Sequence, residues 1–250
     1  MPDKLHKTKG IVLRTVKYGE TSVIVTIFTE LFGLQSYLVN GVRVSTKKGS
    51  GKASLFQPAA LLDLVAYHNE LKNLNRLREF RWSFLYRNVL TDVRKNAVAL
   101  FMIELLTRCL KQPEPNADLF YFIEDCFIHL DESDESVTAN FPLFFALHLT
   151  GFFGIPPAPS RPGLLREAVF DLQEGVFSEQ RPAHPHVIEG HAAQVTAELL
   201  QVRRPEELKQ IRLNQELRRE LLAAYQDYYS LHIQDFGVLK TLPVLREILN

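Results

Sequence analysis

The chain has 250 residues, in which 29 Lys or Arg balance 29 Asp or Glu, and its hydrophobic content of 46% and charged content of 23% are ordinary for a soluble globular protein. Its N-terminus lacks the apolar region of a secretory signal, and its most apolar stretch, residues 141–155, is shorter than the roughly 20 residues of a membrane span. A chain of this length can bury a sizeable core, and its length predicts two domains.

The neutral total conceals two parts of opposite charge. Residues 1–80 carry 12 basic and 6 acidic residues, a net charge of +6, so residues 81–250 carry a net charge of −6. A compact basic β-rich module is a common way to bind a polyanion. The charge distribution therefore directs attention to the first 80 residues.

These 80 residues predict five short β-strands. β-Branched residues are concentrated in residues 9–18 and 21–29, and turn signals follow them at Gly19-Glu20 and Phe32-Gly33. Further strands are predicted at residues 34–42, 55–68 and 71–80, with one long polar loop between the third and the fourth. The spacing predicts a small closed barrel, and an SH3-like barrel is an alternative that spacing alone leaves open.

Helical periodicity follows residue 81. It predicts helices at residues 92–111, 116–130 and 141–153, with Asp92 and Asn116 as N-caps of the first two and an acidic, solvated link at residues 131–135. Helical patterns return at residues 190–200, 205–211 and 214–233. Residues 156–185 contain six prolines and predict an irregular insertion, in which residues 168–177 are typical of a short hairpin.

The glycine-containing loop at residues 46–53 resembles a phosphate loop but departs from that pattern. Thr46 stands where the Walker pattern requires glycine, and Ala53 stands where it requires Ser or Thr. We therefore interpret the loop either as a solvated mobile segment or as a flexible basic finger that closes over a nucleic-acid backbone. The finger's cations are Arg43, Lys47, Lys48 and Lys52.

Other chemistry is weakly supported. His184, His186 and His191 suggest a metal site, yet no cysteine lies near them and a surface loop explains them as well. Motifs for nucleophilic or metal-dependent catalysis are missing, which predicts a protein that is not an enzyme and needs no cofactor. Cys109 and Cys126 lie in apolar helical patterns and predict buried thiols in a reducing, cytoplasmic location. Five aromatic residues could stack on bases, although about half of them are expected to belong to the barrel core: Phe28, Phe32, Tyr37, Phe56 and Tyr67.

The order of elements resembles the bacterial recombination-repair family RecO. The first strand follows the pattern G-I-V-L-x-x-x-x-Y-x-E from Gly10 to Glu20, and L-x-P-x-x-x-L-x-L-like residues follow the basic loop at 55–64. The ending at residues 237–246, GVLKTLPVLR, is also similar to that family. The resemblance extends over essentially the full length.

The resemblance implies an α+β fold, with an N-terminal five-stranded OB-fold barrel at residues 1–80 and an all-helical domain at residues 81–250. It implies binding of single- and double-stranded DNA, annealing of complementary strands in DNA repair and recombination, and association with the nucleoid in the cytoplasm. The implied partners are RecR and the acidic C-terminal tail of single-strand-binding protein, so that RecA loads at gaps. Many members carry a four-cysteine zinc site, but residues 155–191 contain no cysteine, so we expect an irregular insertion without metal.

Basic residues of the N-terminal module are the predicted DNA contacts. We expect phosphates to meet Lys7, Lys9, Arg14, Arg43, Lys47, Lys48 and Lys52. Candidates for the partner's acidic tail are Arg81, Arg87, Arg94 and Arg108. The alternative is a protein-interaction scaffold whose small barrel has no direct nucleic-acid role.

Overall fold

The computed structural model describes residues 4–42, 52–69, 71–158 and 169–249. The chain forms two compact units. The barrel unit comprises Met1–Arg87 and Leu110–Ile128, and the helical unit comprises Asn88–Cys109 and His129–Asn250. The barrel unit thus includes a segment from the middle of the chain.

Five strands close into a barrel in the order β1-β2-β3-β5-β4. Neighbouring strands are antiparallel except β3 and β5, which pair in parallel at Tyr37–Asn75 and Leu38–Arg76. This order is that of the predicted OB-fold and excludes the SH3-like alternative. The strands are β1 (Lys4–Tyr18), β2 (Ser22–Thr29), β3 (Gly33–Val39), β4 (Leu61–His68) and β5 (Asn75–Phe84).

Alternating residues of these strands fill the barrel interior. Val12, Val25, Tyr37 and Leu62 belong to one buried apolar cluster. Gly10 lies close to side chains of two neighbouring strands, because a Cβ on it would come within 2.6 Å of Ile27 and 2.7 Å of Leu64. A glycine is therefore required here for the close approach of three strands.

The fourth and fifth strands begin later than the sequence predicts. A short 3₁₀ helix, Ala53–Phe56, replaces the start of the predicted fourth strand. Pro58 lacks an N–H and Ala59 has a φ of 70°, so regular pairing with β5 begins only at Leu61. A turn closed by the bond from Lys72 N to Asn69 O precedes β5, which continues to Phe84 instead of ending at residue 80.

Helix α2 (Ala117–Glu132) contributes residues up to Ile128 to the barrel unit. Phe120 lies on this helix with its ring centroid 6.0 Å from that of Phe28 on β2. Asn116 accepts a hydrogen bond from Leu119 N at 2.9 Å, which confirms the predicted N-cap. The segment before the helix approaches the β2–β3 turn, where the carbonyl oxygens of Pro113 and Glu114 face Gly33.

The helical unit is built around the apolar helix α3 (Glu135–Leu149). Asp134 caps this helix by accepting from Val137 N at 2.9 Å, so the helix begins six residues before its predicted start, and Pro142 lies inside it. By length and composition, Glu135–Phe153 could cross a membrane, but 67% of its most apolar stretch is buried, as in a core helix. Helices α1 (Val93–Cys109), α4 (Gly190–Gln201) and α5 (Gln215–His232) pack against it, and α6 (Thr241–Ile248) packs against α1.

The acidic run at residues 131–135 is only partly the solvated link that the sequence predicts, because Glu132, Asp134 and Glu135 are exposed but Asp131 is buried. Helix α2 continues to Glu132 and α3 starts at Glu135, so only two residues separate them. Asp131 is 1% exposed, and its Oδ1 accepts hydrogen bonds from Asn88 N at 2.7 Å and Val89 N at 2.8 Å. A residue expected to be solvated is therefore an internal acceptor of the helical unit.

The proline-rich insertion contains a small sheet among residues 169–188. Strands β6 (Val169–Asp171) and β7 (Val176–Ser178) form the predicted hairpin, and β8 (Val187–Ile188) pairs with the other edge of β6. Asp171 accepts from Gln173 N and Glu174 N in the turn and contacts His184 Nε2 at 3.2 Å. Residues 169–188 are therefore more regular than their composition predicts. The Asp171 side chain accepts the backbone hydrogen bonds of the hairpin turn, and proline content alone does not reveal this.

Candidate nucleic-acid interface

The outer surface of β1, β2 and β3 carries a cross-strand ladder of side chains. Val23, Val25 and Ile27 point into the barrel, so their neighbours on β2 point outward. Because of a register shift between Val12 and Arg14, alternate residues from Arg14 onward on β1 also point outward. The outer ladder consists of Arg14, Thr26 and Ser36, then Val16, Ile24 and Leu38, then Tyr18 and Ser22.

This ladder combines an apolar strip with a cation and an aromatic ring. Val16 is 43% exposed and Tyr18 is 53% exposed, while Arg14 is also exposed. Ser22 Oγ donates to Asn40 Oδ1 at 3.0 Å, which places polar groups beside the tyrosine. We call these residues the outer ladder. The aromatic ring of such a surface can stack on bases, and its cation can attract phosphates.

The predicted basic residues differ in their surroundings. Lys7, Arg14 and Lys52 are exposed. Lys9 instead donates hydrogen bonds from its Nζ to both carboxylate oxygens of Glu124, at 3.0 and 2.9 Å. The same ammonium lies 5.5 Å from the centroid of the Tyr121 ring. The predicted contacts Arg43, Lys47 and Lys48 lie outside the described residues.

The Lys9 ammonium interacts electrostatically with the helix, although its side chain is partly exposed. Burial lowers the pKa of Lys9, but the hydrogen bond and charge of Glu124 outweigh burial, so the pKa is raised above its usual value. The Glu124 side chain is only 8% exposed. Beside it, Tyr121 donates to Glu30, and this hydrogen bond raises the pKa of Tyr121. Lys9 therefore compensates a buried carboxylate.

Three of the five aromatic residues predicted to stack on bases are core residues. Phe28, Tyr37 and Phe56 are almost fully buried, and burial raises the pKa of the Tyr37 phenol. Phe32 is half-buried and stacks on His68 at a centroid distance of 3.9 Å. The exposed Tyr18 was not predicted as a stacking residue, because the sequence marked it only as part of a β-branched strand and of the family pattern at residues 10–20.

Known protein families match both parts of the chain. The recombination protein O N-terminal model matches residues 1–86, and the C-terminal model matches residues 90–241. The chain belongs to the RecO family. It therefore has a role in DNA repair and recombination, and the predicted family and fold are confirmed.

Individual RecO relatives are similar over nearly their whole length. The DNA repair protein RecO of Bacteroides fragilis is 35% identical over 249 residues, covering 98% of this chain and 100% of that protein. The proteins of the same name from Christiangramia forsetii and Phocaeicola vulgatus are 34% and 33% identical, each covering 98% of this chain and 99% and 100% of the relative.

The four-thiolate site of many RecO proteins does not fit this chain. Residues 155–191 contain no cysteine, and the chain's two cysteines, Cys109 and Cys126, are buried elsewhere. Burial raises the pKa of the Cys126 thiol well above its usual value, which disfavours the thiolate that zinc binds. Within the described residues, no group of three or more His, Cys, Asp or Glu side chains is placed to hold a metal ion.

Three of the arginines proposed for the acidic tail in this RecO chain have the following intramolecular contacts. Arg81 pairs with Asp63 at 3.0 Å, and Arg94 pairs with Glu135. Arg108 donates to Val238 O at 3.2 Å and lies 3.8 Å from Glu104. Burial raises the pKa of Glu104, but hydrogen bonds from Lys240 and Thr241 outweigh burial, so the pKa is lowered. Arg108 and Glu104 thus hold the segment before α6.

Proposed function

We propose that this RecO-family chain binds single-stranded DNA across the outer ladder of its barrel. The observation that carries the proposal is the alignment of Arg14, the strip Val16–Ile24–Leu38 and Tyr18 on one outer surface. OB-folds bind oligonucleotides on the surface of strands 2 and 3 and through the loops that follow strands 1 and 4. Tyr18 immediately precedes the first of these loops.

Phosphates of the bound strand would contact exposed cations around this surface. Lys7, Arg14 and Lys52 are exposed and suit this role. We assign Lys9 a different role, because capture by a phosphate would leave the buried Glu124 carboxylate uncompensated. The proposed phosphate contacts are therefore Lys7, Arg14, Arg43, Lys47, Lys48 and Lys52.

Annealing follows from this mode of binding without covalent chemistry. A strand held by its phosphates and by one or two stacked bases keeps its other base edges available for pairing, and the cations reduce repulsion between two strands. We propose that the chain anneals complementary strands and also binds duplex DNA. Family membership supports the further proposal that RecR and the acidic tail of single-strand-binding protein are its partners in loading RecA.

Replacing Tyr18 by alanine is expected to weaken oligonucleotide binding by about 5- to 150-fold. The estimate rests on base–aromatic stacking, which is worth roughly 1–3 kcal/mol per base. Fluorescence anisotropy of a fluorescein-labelled oligothymidylate measures the change. Tyr18→Phe is the matched control, because it keeps the ring, and it should retain most of the affinity. If Tyr18→Ala and the unmodified protein bound the oligonucleotide with equal affinity, Tyr18 would not be part of the site.

Changing Lys47, Lys48 and Lys52 together to Glu is expected to weaken binding and flatten its dependence on salt. Each lost phosphate contact lowers the magnitude of the slope of log K against log salt concentration by about 0.7 for a single strand, so three contacts account for roughly 2. Anisotropy titrations at several salt concentrations give the slope. Arg212→Glu, at an exposed position of the helical unit, is the charge-reversal control and should leave the slope unchanged.

Strand annealing distinguishes the proposal from a protein-interaction scaffold. Complementary oligonucleotides should pair faster with the protein, both when naked and when coated with single-strand-binding protein, and Tyr18→Ala should reduce the acceleration. A scaffold would neither bind an oligonucleotide in a salt-dependent way nor accelerate pairing of naked strands.

A further inference from the structure

The loop between β4 and β5 presents an unusually exposed leucine. Leu71 is 88% exposed, more than any other large hydrophobic side chain among the described residues. Leu71 N donates to Asn69 Oδ1 and Lys72 N donates to Asn69 O, each at 3.0 Å. The apolar side chain is therefore exposed beside a hydrogen-bonded turn, at a position where polar residues are usual.

Leu71 belongs to a group of apolar and basic side chains at one end of the barrel. Leu74, in the same loop, is 39% exposed. Leu5 on β1 is opposite Tyr67 on β4, and Tyr67 is in turn opposite Arg76 on β5. Leu5 is also exposed, and Lys72 and Arg76 lie on the surface. Apolar groups mixed with cations match a ligand that is both anionic and partly apolar.

The loop is continuous with the outer ladder. Asn75, which follows Leu74, is opposite Tyr37 on β3, and its side chain donates to Gln35 Oε1 at 3.3 Å. Arg76 is opposite Leu38, which is itself a member of the outer ladder. A strand of DNA that crosses the outer ladder toward β3 therefore reaches the loop that carries Leu71.

We propose that Leu71 is a base-contacting residue, whose side chain packs against the face of an unpaired nucleobase at the β3 edge of the bound strand. The inference rests on the proposed function and adds a residue to it. A base face is apolar and its phosphate is anionic, so Leu71 and Lys72 match the two parts of one nucleotide. Held against leucine, that base is unstacked from its neighbour, and its pairing edge stays free for a complementary strand.

Leu71→Trp provides a direct probe of this contact. The native chain has a single tryptophan, Trp82, so the difference in emission between variant and native protein isolates position 71. An unlabelled oligothymidylate should quench this added emission by about half or more at saturation, since stacking on a base quenches indole fluorescence. A duplex of the same length should quench it much less, because its bases are already stacked.

Leu71→Ala supplies an independent measurement. Affinity for the labelled oligothymidylate should fall about tenfold, as expected for loss of most of a leucine's apolar contact. The slope against salt should stay unchanged, because no phosphate contact is lost. Leu85→Trp and Leu85→Ala are the matched controls, at a leucine that is 67% exposed just beyond the far end of β5, and neither should respond to the oligonucleotide.

The outcomes separate this inference from the proposed function. If the native protein binds no oligonucleotide, the proposed function fails. If it binds normally while position 71 shows no quenching and Leu71→Ala keeps full affinity, the proposed base contact of Leu71 is wrong. If duplex and single strand quenched the emission equally, position 71 would contact the DNA backbone and not a base. This result would also overturn the inference.

Discussion

Replacing Gly33 by alanine is expected to lower the free energy of unfolding of the barrel unit by about 3 kcal/mol or more. A Cβ at this position would lie 2.2 Å from the carbonyl oxygen of Glu114 and 2.3 Å from that of Pro113. Gly33 also has a φ of +61°, a conformation that costs an L-residue roughly 1–2 kcal/mol. The backbone of residues 113–114 must therefore shift, and the packing of the helix that follows it must shift as well.

Urea unfolding followed by tryptophan fluorescence measures this loss, because Trp82 lies on β5 and reports on the barrel unit. For a typical dependence of about 1–3 kcal/mol per molar urea, the midpoint should fall by roughly 1–3 M. Gly19→Ala is a matched control: Gly19 has a φ of +59°, but a Cβ on it would meet nothing within 4 Å. Equal losses for the two variants would mean that conformation alone matters and that the approach of Pro113 and Glu114 contributes nothing.

The contact at Gly33 illustrates which parts of the fold were predictable. The sequence patterns that predict strands, helices and caps involve neighbours within a few residues. The alternation in β2 and the caps Asp92 and Asn116 were therefore predicted correctly. The inclusion of residues 110–128 in the barrel unit depends on contacts between distant residues. No local pattern reports such a contact.

The outer ladder was missed for a similar reason. Strict alternation from the buried Val12 would place residues 14, 16 and 18 inside the barrel. The register shift after Val12 reverses this and exposes Arg14, Val16 and Tyr18. A bulge changes no residue type, so the sequence identified Arg14 by its charge alone and overlooked Tyr18.

Charge alone also assigned Lys9 to DNA. Its partner Glu124 is 115 residues away, in a helix whose acidic residues look like an ordinary solvated face. Net charge is a reliable property of the module as a whole, but the environment of a single lysine depends on its tertiary neighbours. We therefore propose phosphate binding for the exposed Lys7 and Arg14, whereas the DNA contact predicted for Lys9 stays untested.

Asp131→Ala is expected to lower the free energy of unfolding of the helical unit by about 3–5 kcal/mol. Its Oδ1 accepts from Asn88 N and Val89 N, and Val89 is fully buried. Removal of the carboxylate would leave two backbone N–H groups without their acceptor, at roughly 1–3 kcal/mol each. Far-UV circular dichroism during urea unfolding follows this unit, because most of the described helices belong to it.

Two further variants separate the acceptor from the charge. Asp131→Asn keeps an oxygen that can accept both N–H groups, so its loss should be well below that of alanine. Asp134→Ala removes an exposed acidic cap that accepts from Val137 N, and it should cost only about 1 kcal/mol. If Asp131→Ala cost no more than Asp134→Ala, Asp131 would be an ordinary member of the acidic run. The expected contrast arises because Asp131 is buried and Asp134 is exposed, although only two residues lie between them along the chain.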